Sequence, residues 1–148
     1  MNTRPLANAQ HDTPSTSYAA FKTIGAAIAA LVTWFFVATV LNLALRASWA
    51  HYHEAELAFN FTLAMKIARL VLGVISSLGS GFVAAWIARG RMSAATLTGI
   101  LLLALFIPDH YRLWSEFPVW YHLTFLVSLL PLTLLGVALY RRTCRKAP

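Results

Sequence analysis

The chain has 148 residues, of which 59% are hydrophobic and 11% are charged. Because an average soluble domain carries about 25% charged residues, this composition argues against a soluble domain and favours an integral membrane protein. The formal net charge of +7 comes mainly from Lys and Arg beside apolar blocks, a pattern of membrane topology rather than of a nucleic-acid-binding face. One cysteine, Cys144, excludes an internal disulfide and a multi-cysteine metal site within a single chain.

A polar segment and then a long apolar block open the chain. Residues 1–17 are polar, contain Ser, Thr, Asn and Pro, and lack an apolar period, so we predict a disordered tail. The block from Ile24 to Leu45 has 22 residues. At about 1.5 Å per residue it crosses a hydrocarbon core of about 30 Å. It is longer than the apolar region of a cleaved signal peptide, about 7–15 residues. We therefore predict a retained transmembrane helix at about residues 22–45.

Three further apolar blocks follow. They predict spans at about residues 66–88, 92–107 and 119–140. The second span has no helix breaker from about Leu57 onward, the third stops at Pro108, and the fourth contains Pro131. Since a chain in lipid must satisfy its backbone internally, short loops between four helices predict an all-α, antiparallel four-transmembrane-helix bundle over residues 18–142. Residues 143–148 form a basic tail.

The charges predict the orientation of these spans. With four spans, the tail, the second loop and the C-terminus share one side, which holds eight of the twelve Lys and Arg and one acid, Asp12. The opposite side holds the other four cations and four of the five acids. The positive-inside bias therefore predicts a multi-pass protein with cytoplasmic N- and C-termini. Compact loops and the lack of a sorting signal favour a bacterial inner membrane.

Small and polar residues form a stripe along the second span. Gly73, Ser77 and Gly81 recur at four-residue spacing, which lets helices approach closely in lipid and predicts a packing seam. Lys66 and Arg69 lie at the outer end of the same stripe. Two interpretations stay open: both cations extend to the membrane interface, or together they bind an anionic group such as a lipid phosphate.

Histidines and acids gather on the predicted outer side. This candidate polar cluster contains His53, Glu56, Asp109, His110 and His122. These side chains include the nitrogen and oxygen ligands that zinc, iron or copper accept. No H-E-x-x-H or comparable spacing is present, so we predict no specific metal site and no cofactor, and we assign no catalytic residue.

The stretch from Pro108 to His122, PDHYRLWSEFPVWYH, has separate polar and apolar helical arcs. It predicts a short interfacial helix in the third loop, with its aromatic side chains at the level of the lipid head groups. His110 falls in the middle of the apolar arc. Such a position predicts a buried partner, for which His122, Lys66 and Glu56 are the candidates.

Two functional hypotheses follow. The first is a non-enzymatic membrane protein that associates with itself or serves as an accessory subunit of a larger membrane complex, because no catalytic spacing is present. The second is an outer-face enzyme or small-solute carrier, in which Lys66 and Arg69 bind an anionic group and the histidine and acid cluster handles protons or a metal. Either protein has the lipid bilayer as its surroundings, and nucleic acid is not expected as a partner.

Overall fold

The computed structural model describes residues 16–144, which form five helices and no strand. In chain order the helices are α1 (Thr16–Ser48), α2 (Tyr52–Ala58), α3 (Leu63–Ile87), α4 (Met92–Arg112) and α5 (Val119–Cys144). Four of them are long and apolar enough to cross a membrane, as expected for a multi-pass membrane protein. The predicted tails lie largely outside the described residues, because residues 1–15 and 145–148 are not among them.

The four predicted spans correspond to α1, α3, α4 and α5, whereas α2 is an additional helix in the first loop. Residues in the left-handed region flank α2, with φ of 61° at His51 and 54° at Phe59. Although the sequence has no helix breaker from about Leu57 onward, α3 does not extend back to that residue, because the chain turns at Phe59 and α3 begins at Leu63. The Thr62 hydroxyl accepts a hydrogen bond from the Met65 backbone N–H at 3.3 Å and caps this helix.

The helix α4 continues through Pro108 and ends at Arg112, beyond the predicted end of the third span. Proline removes one backbone donor, but ending the helix there would leave several backbone groups without partners in an apolar environment. Residues 113–118 then form turns up to the start of α5. Within the described range, the stretch predicted as a separate interfacial helix is thus the last turn of α4 followed by a turn.

Glycines let α3 and α5 pack with their backbones in close contact. A Cβ atom on Gly81 would overlap the backbone carbonyl of Thr133, and one on Gly136 would overlap the backbone at Leu78 and Phe82. Close approach of this kind is how helices associate where lipid removes the hydrophobic driving force. The predicted seam of Gly73, Ser77 and Gly81 is buried within the chain.

The packing changes in character along the helices. At the end near the α3–α4 loop the core consists mostly of alanines, such as Ala26, Ala84 and Ala95. At the opposite end it consists of large side chains from α2, α3, α5 and the adjoining turns, namely Tyr52, Phe61, Met65, Phe117 and Tyr121. Small side chains allow close helix contact and large ones hold helices apart, so the space between the helices lies toward the aromatic end.

Candidate functional site

A cavity of about 750 Å³ lies at the aromatic end of the protein, lined by α1, α2, α3, α4, α5 and the turns between them. Its apolar wall includes Trp34, Phe106 and Phe125, with ring centroids 4.8 Å apart for Trp34 and Phe106 and 5.1 Å apart for Phe106 and Phe125. Its polar residues include Asn42, Arg46, Glu56, Arg69, Asp109, His110, Arg112 and His122. A cavity of this size with mostly apolar walls and a few polar groups is typical of small-molecule sites.

The helix α1 contributes a stripe of cavity residues at four-residue spacing: Trp34, Ala38, Asn42 and Arg46. Residues four apart share a helix face, so one side of α1 runs from an indole to a guanidinium. The indole N–H of Trp34 donates to the Ser77 hydroxyl at 3.0 Å, which fixes the ring against α3. This stripe was not predicted from the sequence, although an asparagine near the end of an apolar block followed by an arginine four residues later was a signal for it.

Glu56 connects α2 to α1 and α3. Its carboxylate accepts hydrogen bonds from Arg46 Nε at 2.6 Å, from Asn42 Nδ2 at 3.1 Å and from Arg69 Nη1 at 3.4 Å. Burial raises the pKa of this carboxyl group, but the hydrogen bonds from Arg46 and Asn42 and the nearby positive charges outweigh burial and leave the pKa below its ordinary value of 4.5. Glu56 is therefore ionised at neutral pH and holds α2 over the cavity.

Tyr52 completes this network from the buried face of α2. Its hydroxyl donates to Asn42 Oδ1 at 3.2 Å and accepts from Arg69 Nη1 at 3.4 Å. Burial of the side chain raises the pKa of the phenol, although Arg69 acts in the opposite direction. The hydroxyl thus keeps its proton at neutral pH.

The two cations predicted to act together occupy different positions. Arg69 lines the cavity, with its guanidinium carbon 4.7 Å from the centre of the Phe61 ring. Among the described residues, the Arg69 Nε is buried without a hydrogen-bond partner. Lys66 is half-buried, is not among the cavity residues, and forms no ion pair within residues 16–144. The cations of the cavity are therefore Arg69, Arg46 and Arg112.

The structure brings His110 and His122 into direct contact. Their Nδ1 atoms lie 2.7 Å apart, with His110 at the end of α4 and His122 in the first turns of α5. Aromatic rings hold both imidazoles: Phe125 stacks on His110 at 4.8 Å, and Trp114 stacks on His122 at 4.8 Å. His122 is fully buried, and its Nε2 has no hydrogen-bond partner in the part of the chain that the structure describes.

This contact between the two histidines limits which of their ring nitrogens can carry protons. A hydrogen bond between two Nδ1 atoms requires one nitrogen to donate and the other to accept. When both rings are neutral, a donor Nδ1 leaves its own ring with an acceptor Nε2, while the acceptor Nδ1 leaves its ring with a donor Nε2. The pair therefore presents one outer donor and one outer acceptor, and moving the protons exchanges the two roles.

The remaining predicted residues lie outside this pair. Asp109 is exposed and lines the cavity, whereas His53 is exposed on α2 and is not among the cavity residues. Residues 16–144 contain no group of three or more His, Cys, Asp or Glu placed to hold a metal ion. The predicted polar cluster is thus divided, with Glu56, Asp109, His110 and His122 at the cavity and His53 away from it.

The cavity combines aromatic, apolar walls with a polar end of low net charge. Three arginines and two carboxylates, Glu56 and Asp109, give its polar end one net formal positive charge when the histidines are neutral. Two of the arginines already contact Glu56, so the charge available to a ligand is modest.

Comparison of the chain with protein-family models, with curated proteins and with solved structures gives no match.

Proposed function

We propose that this chain is an inner-membrane protein, an antiparallel four-helix bundle with cytoplasmic termini, that binds an amphipathic small molecule in the cavity at its outer end. The observation that carries the proposal is an aromatic cavity with two buried, unpaired nitrogen atoms in its lining residues, Arg69 Nε and His122 Nε2. The polar head of the ligand lies near these atoms. Its apolar body lies along Trp34, Phe106 and Phe125.

The depth of the cavity supports this orientation of the ligand. Trp34 and Arg46 both line the cavity and are twelve residues apart on α1, which corresponds to about 18 Å along the helix axis. One leaflet of the hydrocarbon core is about 15 Å thick. The apolar wall thus runs from the head-group level toward the bilayer centre, as a lipid-like molecule does.

The unpaired atoms provide a thermodynamic reason for binding. A buried donor or acceptor without a partner costs about 1–3 kcal/mol, and most such atoms in folded proteins have a partner. A ligand whose head forms hydrogen bonds with Arg69 Nε and His122 Nε2 recovers this cost.

The proposal draws on the second hypothesis from the sequence, because Arg69 and the histidine pair belong to the cavity and Lys66 does not. The first hypothesis, self-association or assembly into a complex, had the small-residue seam of α3 as one of its motivating features, beside the short loops and the lack of catalytic spacing. Gly81 and Ser77 of that seam contact α5 and α1 within the chain. These two positions of the seam are therefore occupied by contacts within the chain.

Extraction of co-purified molecules tests the proposal. The variant Ala38→Trp fills the cavity with an indole, whereas Ala44→Trp places the same side chain on an exposed part of α1 that does not line it. Each protein is purified in detergent, extracted with organic solvent and examined by mass spectrometry. We expect the wild type and Ala44→Trp to retain one amphipathic molecule that Ala38→Trp loses. Equal amounts in all three proteins contradict the proposal.

A further inference from the structure

The two buried nitrogen atoms differ in the hydrogen bonds that they can form. Arg69 Nε always carries a proton and always donates. His122 Nε2 donates in one protonation arrangement of the histidine pair and accepts in the other, because its role is linked to the Nδ1 contact with His110. The cavity residues therefore supply one constant donor and one group that exchanges between donor and acceptor.

We infer that the head group bound here is a quinone that is also bound in its quinol form, with His122 Nε2 donating to the carbonyl and accepting from the hydroxyl. This inference rests on the proposed function, since it names the class of the amphipathic ligand. Arg69 Nε serves both forms, because a carbonyl oxygen and a hydroxyl oxygen both accept hydrogen bonds. To match the ligand, His110 passes its Nδ1 proton to His122 Nδ1, His122 releases its Nε2 proton to the medium, and His110 takes up one proton on its own Nε2 from the medium. The pair carries the same number of protons before and after, and no electron transfer is required of the protein.

The cavity around His110 and His122 is suited in shape and charge to a flat, neutral ring. Aromatic side chains form much of the cavity wall, including Phe61, Phe106, Phe117 and Phe125, and such side chains pack against a planar ring by offset or edge-to-face contacts. The positive charges of Arg46 and Arg69 are already directed to Glu56. Because two of the three cavity arginines are paired with Glu56, little positive charge remains to balance a doubly charged phosphate head. A neutral head needs no such balance and is held by hydrogen bonds.

The coupling requires both histidines. With His110 as donor, His122 carries its proton on Nε2. With His110 as acceptor, His122 carries its proton on Nδ1 and its Nε2 has a free lone pair. The stacking of Phe125 on His110 and of Trp114 on His122 limits rotation of both rings, so the two arrangements differ by protons rather than by ring positions.

A matched pair of variants at position 110 tests the coupling. In His110→Asp a carboxylate oxygen stands at the same number of bonds from Cβ as Nδ1 and only accepts, so His122 must carry its proton on Nδ1. The isosteric variant His110→Asn presents either a donor or an acceptor. As long as His122 is neutral, the Asp variant therefore fixes its Nε2 as an acceptor, and the Asn variant leaves it free to exchange.

The probes are decylubiquinone, decylubiquinol and decyl phosphate, incubated without oxygen with immobilised protein in detergent. The medium is held at about pH 9, because the carboxylate of His110→Asp favours the protonated form of His122 and a more alkaline medium keeps the ring neutral. We expect the wild type and His110→Asn to bind the quinone and the quinol with dissociation constants within about tenfold of each other. We expect His110→Asp to shift this ratio toward the quinol by about tenfold or more. We expect His122→Phe, which removes both nitrogens, to weaken both forms by at least about tenfold.

The outcomes separate this inference from the proposed function. Binding of decyl phosphate without either ubiquinone form overturns the inference and leaves the proposed function standing. Binding of only one ubiquinone form by the wild type, or an equal ratio in the Asp and Asn variants, also overturns it. Failure of all three probes to bind counts against both the inference and the proposed function. Should His122→Phe fail to fold, the comparison of Asp with Asn at position 110 decides the matter alone.

Discussion

The Nδ1 atom of His110 lies 2.7 Å from the Nδ1 atom of His122, across the turn that joins α4 to α5. The two residues are twelve positions apart, and each imidazole is stacked against an aromatic ring. This contact gives the apolar-arc position of His110 a physical reason. It also ties the end of one membrane-spanning helix to the start of the next, beside the cavity.

The histidine contact is expected to contribute to stability. In His110→Phe the fully buried His122 keeps no hydrogen bond within residues 16–144, and such a loss costs about 1–3 kcal/mol. We expect a lower midpoint of thermal unfolding in detergent. The control His53→Phe changes an exposed histidine on α2 and leaves the midpoint nearly unchanged. An unchanged midpoint in His110→Phe would show that the contact is not formed in solution.

Glu56 is expected to make the docking of α2 depend on pH. Its folded-state pKa is lower than its ordinary value of 4.5, so its stabilising contribution is complete above that value and is lost as the pH falls through the folded pKa. Hydrogen exchange of the α2 amides, corrected for the intrinsic pH dependence of exchange, measures this. Protection in the wild type falls as the medium becomes more acidic than about pH 4.5, the ordinary glutamate value.

Two glutamine variants distinguish the contribution of the Glu56 carboxylate to α2 docking from that of the other carboxylate on α2, Glu54. Glu56→Gln loses the ion pairs with Arg46 and Arg69 and should show weaker α2 protection that no longer changes over the acidic range. Glu54→Gln removes a carboxylate that is 77% exposed and whose one ion pair within residues 16–144 is with His51, so its profile should follow the wild type. Identical profiles for the two variants would mean that Glu56 does not hold α2.

The close contact between α3 and α5 predicts opposite effects for two glycines on one helix. In Gly81→Ala the new methyl group overlaps the Thr133 carbonyl, and overpacking of this kind costs about 1–3 kcal/mol. In Gly79→Ala the methyl group meets no atom within 4 Å, and alanine favours the helix by about 1 kcal/mol. Thermal unfolding should therefore show a lower midpoint for the first and an equal or higher one for the second. A decrease of equal size in both would contradict the packing.

The proposed orientation is open to a direct labelling test. Cys144 is the single cysteine and lies exposed at the end of α5. The double variant Cys144→Ser, Ser115→Cys moves it to the turn after α4. In intact bacterial cells with a permeable outer membrane, a membrane-impermeant maleimide should label position 115 and should reach Cys144 only after the inner membrane is opened. The reverse pattern would place the cavity at the cytoplasmic side.

The sequence shows where the long helices lie, because apolar blocks of about twenty residues have few alternatives in lipid. It also identified the small-residue face of α3, now buried as Gly73, Ser77 and Gly81. The end of α4 was less predictable, since whether Pro108 stops a helix depends on what surrounds it. The start of α3 depended on the turn at Phe59 and the cap at Thr62, which local apolar content does not show.

Site residues could be predicted from the sequence only where the pattern on a single helix singled them out. His110 was singled out because it interrupts an apolar arc, and the structure places His122 against it. The Glu56 network was not foreseen in this form, because Asn42, Arg46 and Arg69 reach it from two other helices. Lys66 and Arg69 are three residues apart, yet their side chains separate because only Arg69 meets a carboxylate.

Saturable photolabelling in the membrane tests the binding cavity most directly. A neutral amphiphile, a fatty alcohol with a diazirine in its alkyl chain, is added to membranes at rising concentration, and the adducts are mapped by mass spectrometry. We expect saturable labelling of cavity residues such as Phe106 and Phe125, lost in Ala38→Trp and retained in Ala44→Trp. Labelling that rises without saturation and is confined to outward residues such as Phe36 and Val127, which are 68% and 70% exposed, would contradict a ligand-binding cavity.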